Sequence, residues 1–111
     1  MNINNDVEAV ITSFNQKSMI YEAVHSLCNQ TMQPKRIIIV DDGTTDEMSI
    51  RVLNEIEADH KIEIPLLIVR QSNGGVSAAR NTGIRTAEAA LIVVLDGDDN
   101  LEPSFVEEVS K

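Results

Sequence analysis

Short unbroken apolar runs alternate along this chain with longer stretches whose apolar residues recur at helical spacing. Ala9-Val10-Ile11 opens a first strand that ends near Ser13. Past Asn15-Gln16-Lys17-Ser18, residues Ile20, Ala23, Val24, Leu27 and Cys28 share one helical face, and Pro34 is expected to stop that element. Ile37-Ile38-Ile39-Val40 predicts a second strand, apolar on both sides like a covered central strand of a parallel sheet. Thr44-Thr45-Asp46-Glu47 has the form of a capping box, with Thr44 as N-cap and Glu47 three residues on. It opens a helix whose buried stripe is Val52, Leu53 and Ile56.

The alternation continues with a third strand, Pro65-Leu66-Leu67-Ile68-Val69, and a turn at Asn73-Gly74-Gly75. A helix follows with Val76, Ala79, Gly83 and Ile84 on one face. Leu91-Ile92-Val93-Val94-Leu95 predicts the fourth strand, and Pro103 suits the first residue of a last short helix that points Phe105, Val106 and Val109 inward. Strands joined by helices of this length imply one α/β domain, a three-layer α/β/α arrangement around a mainly parallel sheet with right-handed crossovers. No repeat, low-complexity tract or linker interrupts it.

Composition narrows the function classes. The 111 residues carry a formal charge of −9, which argues against gripping nucleic acid by bare Lys and Arg contacts. Phosphate ligands remain open, because a divalent cation can bridge protein carboxylates to phosphates. Aromatic residues are few, only Phe14, Tyr21 and Phe105. Cys28 is the single cysteine, so no internal disulfide forms and a reducing compartment is the default. The polar start, Met1 to Glu8, lacks a signal-peptide core, and the apolar run Ala89 to Leu95 is too short to span a bilayer. Taken alone, the chain reads as soluble and cytoplasmic.

In an open α/β sheet, ligands bind beyond the carboxyl ends of the strands. Those tails are Thr12-Ser13-Phe14-Asn15, Asp41-Asp42-Gly43, Gln71 to Gly75, and Asp96-Gly97-Asp98-Asp99. Polar, acidic and glycine residues therefore collect at one edge. Three carboxylates within Asp96 to Asp99 repel one another unless a cation neutralises them, and hard oxygen ligands suit Mg²⁺ or Mn²⁺. Asp96 and Asp98 lie on the same side of an extended backbone, with Gly97 allowing a close approach. The competing reading is a solvated acidic turn. Asp41-Asp42 either caps the following helix or accepts hydrogen bonds from a base or ribose. The Asn73-Gly74-Gly75 turn matches neither standard phosphate fingerprint, but its amides could meet an anion, and Arg80 one turn later is the best-placed cation. His25, His60 and Cys28 have no partner at metal spacing, and Ser18, Ser26 and Ser77 have no histidine to activate them.

Taken in order, these segments resemble family 2 glycosyltransferases, whose N-terminal half has the nucleotide-binding GT-A fold. The likeness runs through Val10 to Asn15, Ser26 to Thr31, Ile38 to Asp46, Asn73 to Gly83 and Leu95 to Asp99, nearly the whole chain. It implies that Thr12, Phe14 and Asn15 meet the nucleotide, with Phe14 keeping the stacking face where tyrosine is common. It implies that Asp42, with Asp41 beside it, reads the base, usually uracil. Asn73, Gly74 and Arg80 line the ribose-diphosphate side. Asp96 and Asp98 match the DxD pair that contacts ribose and metal, with Asp99 as a further ligand, and the implied cofactor is Mg²⁺ or Mn²⁺. The partners implied are a nucleoside diphosphate-sugar, UDP-linked by family habit, and a glycan or lipid-linked acceptor in polysaccharide synthesis. Membrane association is compatible with a longer form. The resemblance further implies inversion by direct displacement, with the acceptor site and general base beyond Lys111. An apolar patch or self-association beside the fourth strand is then expected. A non-catalytic nucleotide-sugar-binding module would show the same residues. A signalling receiver domain would need an aspartate after the third strand, where Arg70-Gln71-Ser72 stands.

Overall fold

The computed structural model describes residues 6–110. Val7–Ser13 (β1) and Arg36–Asp42 (β2) are buried almost throughout, and they form the centre of a four-stranded sheet. Leu66–Gln71 (β3) pairs with β2, and Leu91–Asp96 (β4) pairs with β1, giving the order β3-β2-β1-β4 with every pairing parallel. Met19–Cys28 (α1) and Glu47–Ala58 (α2) connect the strands running one way from β1. Val76–Thr86 (α3) then carries the chain back across β2 and β1 to β4, and Phe105–Val109 (α4) follows.

Strand alternation divides the core in two. On one face Ala9, Ile11, Ile37, Ile39, Ile68, Val93 and Leu95 pack with Ile20, Ala23, Val24 and Leu27 of α1, Leu53 and Ile56 of α2, and Val106 of α4. On the other, Val10, Ile38 and Val40 meet Ala79 of α3. Each fully buried aliphatic side chain contributes roughly 1.5–3 kcal/mol. Helix α3 lies tight against β1: a Cβ on Gly83 would sit 2.2 Å from Val10 Cγ1. At the opposite edge from the strand tails, the buried Glu8 accepts from Arg36 Nε and from the amides of Glu88 and Ala89, each at 2.7 Å. Burial alone would raise the Glu8 pKa, but these donors outweigh it and hold the carboxyl below its ordinary value.

Several boundaries differ from the sequence pattern. The strands run on into polar residues, Asp41, Asp42, Gln71 and Asp96, because ladder pairing continues past the apolar stretch. Helix α1 ends at Cys28, well before Pro34, with the Asn29 amide closing onto the His25 carbonyl at 2.9 Å. The buried Gln30 then bridges to the last helix: its Nε2 donates to the carbonyls of Ser26 and Glu102, and its Oε1 accepts from the Val106 amide. The capping box does not form. Asp46 is the N-cap of α2, accepting from the Ser49 amide at 3.0 Å and hydroxyl at 2.8 Å, and Ser49 takes the buried position expected of the half-buried Val52. In α3 only Ala79 and Gly83 turn inward, leaving Val76 and Ile84 exposed, and in α4 only Val106 does. Cys28 is half-buried against the core, where burial pushes its thiol pKa up.

β4 is an edge strand, and the apolar surface expected beside it is present. Leu91 to Val94, with Phe105 and Val109, line a shallow groove there. Among the described residues, no helix is long and apolar enough to cross a membrane.

Candidate functional site

The crossovers leave β1 in opposite directions, so the sheet has a topological switch point between β1 and β4, where a crevice opens at the strands' carboxyl ends. Register decides which side chains face it. Thr12 stands directly opposite Asp96, and Asp42 opposite Gln71, all four on the α3 side of the sheet. The resulting cleft has a volume of about 340 Å³ and is lined by Thr12, Ser13, Phe14, Gln16, Asp42, Asn73, Gly75, Val76, Ala79, Asp96 and Asp98. That volume lies within the range of small-molecule sites.

Asp42 is buried, and its carboxylate is well supplied with donors. Oδ1 accepts from Gln71 Nε2 and the Gly74 amide, and Oδ2 from the Gly75 amide, each at 2.9 Å. Burial would raise its pKa, yet these three donors more than compensate and hold it below the ordinary aspartate value. Asn73 Nδ2 donates to the Asp42 carbonyl at 3.1 Å, drawing the β3–α3 turn against β2. Gly43, at φ +77°, makes this approach possible, since a Cβ there would lie 2.7 Å from the Asn73 nitrogen.

Asp96 is held by Thr12 Oγ1 at 3.0 Å and by Arg80 Nη2, which reaches both carboxylate oxygens at 3.0 and 2.9 Å. Asp98 is exposed on the cleft wall and has no hydrogen-bond or ion-pair partner among the described residues. Phe14, 45% exposed, offers an open ring face at the rim.

The structure separates some residues that the sequence grouped. Asp41 points to the opposite side of the sheet from Asp42, as neighbours on a strand must, and caps the loop by accepting from the Thr44 amide at 3.0 Å. Asn15, at φ 51°, lies outside the cleft lining, with its Oδ1 on the amides of Thr45 and Asp46, both at 3.0 Å. The Gly74 amide donates to the Asp42 carboxylate and is already engaged within the protein. Asp99 turns back to accept from the Asp96 amide at 2.8 Å, which makes it a turn residue and not a cleft carboxylate. Arg80 is the partner of Asp96 and does not line the cleft itself. Among the described residues, no three His, Cys, Asp or Glu side chains converge as a metal cluster. The carboxylates lining the cleft, Asp42, Asp96 and Asp98, fit instead the mode in which a hard cation takes one or two protein oxygens and completes its shell from phosphate and water. Gln16, Ser13, Val76 and Ala79 also line the cleft, and nothing in their residue types singled them out.

The model of "Glycosyl transferase family 2" matches residues 8–111. The chain belongs to glycosyl transferase family 2. It is 34% identical over 106 residues to the uncharacterized glycosyltransferase EpsJ of Bacillus subtilis (strain 168), covering 95% of this chain and 29% of that protein. It is 37% identical over 101 residues to a chondroitin synthase of Escherichia coli, covering 91% of this chain and 14% of that enzyme. This family 2 chain thus spans less than a third of either relative. Among solved structures it is similar to a mannosyltransferase from Pyrobaculum calidifontis in complex with GDP-Man and Mn²⁺, with TM-score 0.78 and 22% identity over 95% of this chain and 31% of that one. S. aureus TarS superposes with TM-score 0.76 and 23% identity, over 94% of this chain and 18% of that one. These likenesses establish the GT-A fold.

Proposed function

We propose that this chain forms the donor-binding part of a glycosyltransferase, holding a nucleoside diphosphate-sugar, UDP-linked, together with Mg²⁺ or Mn²⁺. The observation that carries this reading is the convergence of Phe14, Asp42, Asn73, Asp96 and Asp98 on one cleft at the switch point of the sheet. Phe14 supplies a face for the base. Asp42 uses three of its roughly four acceptor positions within the protein and keeps one on Oδ2, which matches the single imide N–H of uracil. Asp96, fixed by Thr12 and Arg80, lies where a ribose hydroxyl can donate to it. Asp98 offers a carboxylate with every acceptor position free.

Charge supports the same reading. Among the described residues, no lysine or arginine lines the cleft, and the nearby Arg80 is paired with Asp96. A diphosphate placed among three carboxylates would meet only repulsion without a counter-cation. A divalent cation, when bound, would join Asp98 and Asp96 to the diphosphate and stabilise the leaving group. Each cleft carboxylate has a binding role on this reading, so we assign the general base of an inverting displacement, and the glycan or lipid-linked acceptor, to residues outside this cleft.

Thermal unfolding with UDP, a UDP-sugar and a GDP-sugar, in Mn²⁺ or in excess EDTA, tests the proposal. UDP-type ligands at about 100 times Kd should add about 2.7 kcal/mol of stability with Mn²⁺. Equal stabilisation in EDTA would remove the cation from the reading, and no stabilisation by any nucleotide would remove the reading itself.

A further inference from the structure

Two side chains, Gln71 and Thr82, stand in line behind Asp42. Gln71 is its direct cross-strand partner, so both leave the sheet on the α3 face. Gln71 Nε2 donates to Asp42 Oδ1 at 2.9 Å, and Gln71 Oε1 accepts from Thr82 Oγ1 of α3 at 2.6 Å. A carboxylate only accepts, so the amide must turn its nitrogen to Asp42 and its oxygen to Thr82. The Thr82 hydroxyl has one proton and two acceptors within reach, Gln71 Oε1 at 2.6 Å and the Ala78 carbonyl at 3.0 Å. The shorter contact takes it. Arg85 Nη2, 3.4 Å from the same oxygen, approaches it as a donor and leaves that proton for Gln71. Neither Gln71 nor Thr82 lines the cleft.

We propose that Gln71 and Thr82 are positioning residues that aim Asp42 at the nucleotide base and so set the preference for a base bearing an imide N–H. The inference rests on the reading of Asp42 given above. The Gly74 and Gly75 amides hold one edge of the carboxylate whatever happens to the side chains. The Gln71 amide adds a second donor to Oδ1 from the neighbouring strand and so tightens rotation about the soft terminal torsion of aspartate. Without it the carboxylate is held by the β3–α3 turn alone, and the free acceptor position on Oδ2 is aimed less sharply at the cleft, although the phosphate end of the site is untouched.

The experiment measures, by calorimetry in Mn²⁺, the affinities for UDP and N3-methyl-UDP, which lacks the imide proton. The unaltered chain should prefer UDP by about 10–100-fold, the value of one hydrogen bond to a charged group. Gln71→Leu should lower that preference about tenfold by weakening UDP alone, with N3-methyl-UDP unchanged. Thr82→Val should move it the same way by less, and Thr82→Ser, which keeps the hydroxyl, should restore it. Thr82→Val carries the test by itself if Gln71→Leu fails to fold. An unaltered preference in the folded variants, or equal weakening of both ligands, would overturn the proposal. If the unaltered chain binds both ligands alike, Asp42 does not read the base and this inference fails with it. If it binds neither, the donor-site reading is what fails.

Discussion

Replacing Gly97 by alanine tests whether the acidic tail is held in place by its closeness to β1. Gly97 does not have a left-handed backbone, so the issue is space alone. A Cβ at this position would lie 2.5 Å from Gln16 Cγ, 3.0 Å from Gln16 Cδ and 2.9 Å from the Thr12 carbonyl oxygen. The half-buried Gln16 side chain can swing away. The Thr12 carbonyl cannot, because Thr12 lies in the central strand, paired with Val40 on one side and Asp96 on the other. Overpacking of this kind costs about 1–3 kcal/mol, and the reduced freedom of the unfolded chain returns about 0.4–1 kcal/mol. A net loss of about 1–2 kcal/mol corresponds to a fall in Tm of roughly 4–16 °C. The tail must also move by a fraction of an ångström, which shifts Asp96 from Thr12 and Asp98 from the cleft. Mn²⁺-dependent UDP affinity should therefore fall by about tenfold or more. Differential scanning fluorimetry and calorimetry measure the two effects. Adding Gln16→Ala should recover only part of each. An alanine variant with unchanged Tm and affinity would refute the close-approach argument, and full recovery by Gln16→Ala would move the constraint from the strand to that side chain.

Asp98→Asn should abolish Mn²⁺-dependent UDP binding in calorimetry and leave the urea midpoint unchanged, whereas Asp96→Asn should weaken binding and also cost up to about 1 kcal/mol, because its ion pair with Arg80 is solvent-screened. Glu8→Gln should destabilise the chain by about 3 kcal/mol at neutral pH. Because the folded pKa of Glu8 is lowered, its stabilisation is present above the ordinary glutamate range and fades as the pH falls, so urea midpoints of the two proteins should draw together as the pH falls below the ordinary glutamate range. Gln30→Leu leaves the Val106 amide without its partner and removes one of two donors to the Glu102 carbonyl, so α4 should loosen at a cost of about 1–3 kcal/mol, read as faster hydrogen exchange at Val106.

The elements were legible because β1 and β2 are covered on both faces and read as apolar runs, and, although Leu67 and Val94 are exposed, β3 and β4 carry similar runs. Their carboxyl ends were not, since Asp42 and Asp96 remain paired in the ladder despite their polarity. Alternation on β2 is enough to put Asp41 and Asp42 on opposite faces, and only one of them lines the cleft. The role of Asn15 could not be read in this way. It is set by amides 30 and 31 positions away, which reach it only once α2 has been placed. The same holds for Arg80, whose partner Asp96 is on another element. The capping box failed for a related reason: Asn15 and Asp41 claim the loop amides from Thr44 to Asp46, so the helix starts later, on Asp46.

The carboxylates at the strand tails can be ordered by how much acceptor capacity the fold leaves them. Asp42 and Asp96 each take three protein donor contacts, and Asp41 and Asp99 each cap a backbone amide. Asp98 has no such contact among the described residues. A cation that bound first to Asp96 would have to displace Arg80 or share its charge, whereas at Asp98 it displaces only water. On the proposed reading, engagement through Asp98 would therefore be the less costly entry, and Asp96 would keep its contacts to Arg80 and Thr12. The Arg80–Asp96 pair then has a definite consequence: it keeps one carboxylate of the acidic tail neutralised and oriented, so that mutual repulsion within Asp96 to Asp99 does not unravel the turn when no cation is bound. Removing Arg80 should for that reason make the tail's order depend on divalent cation, a dependence that the paired arrangement avoids.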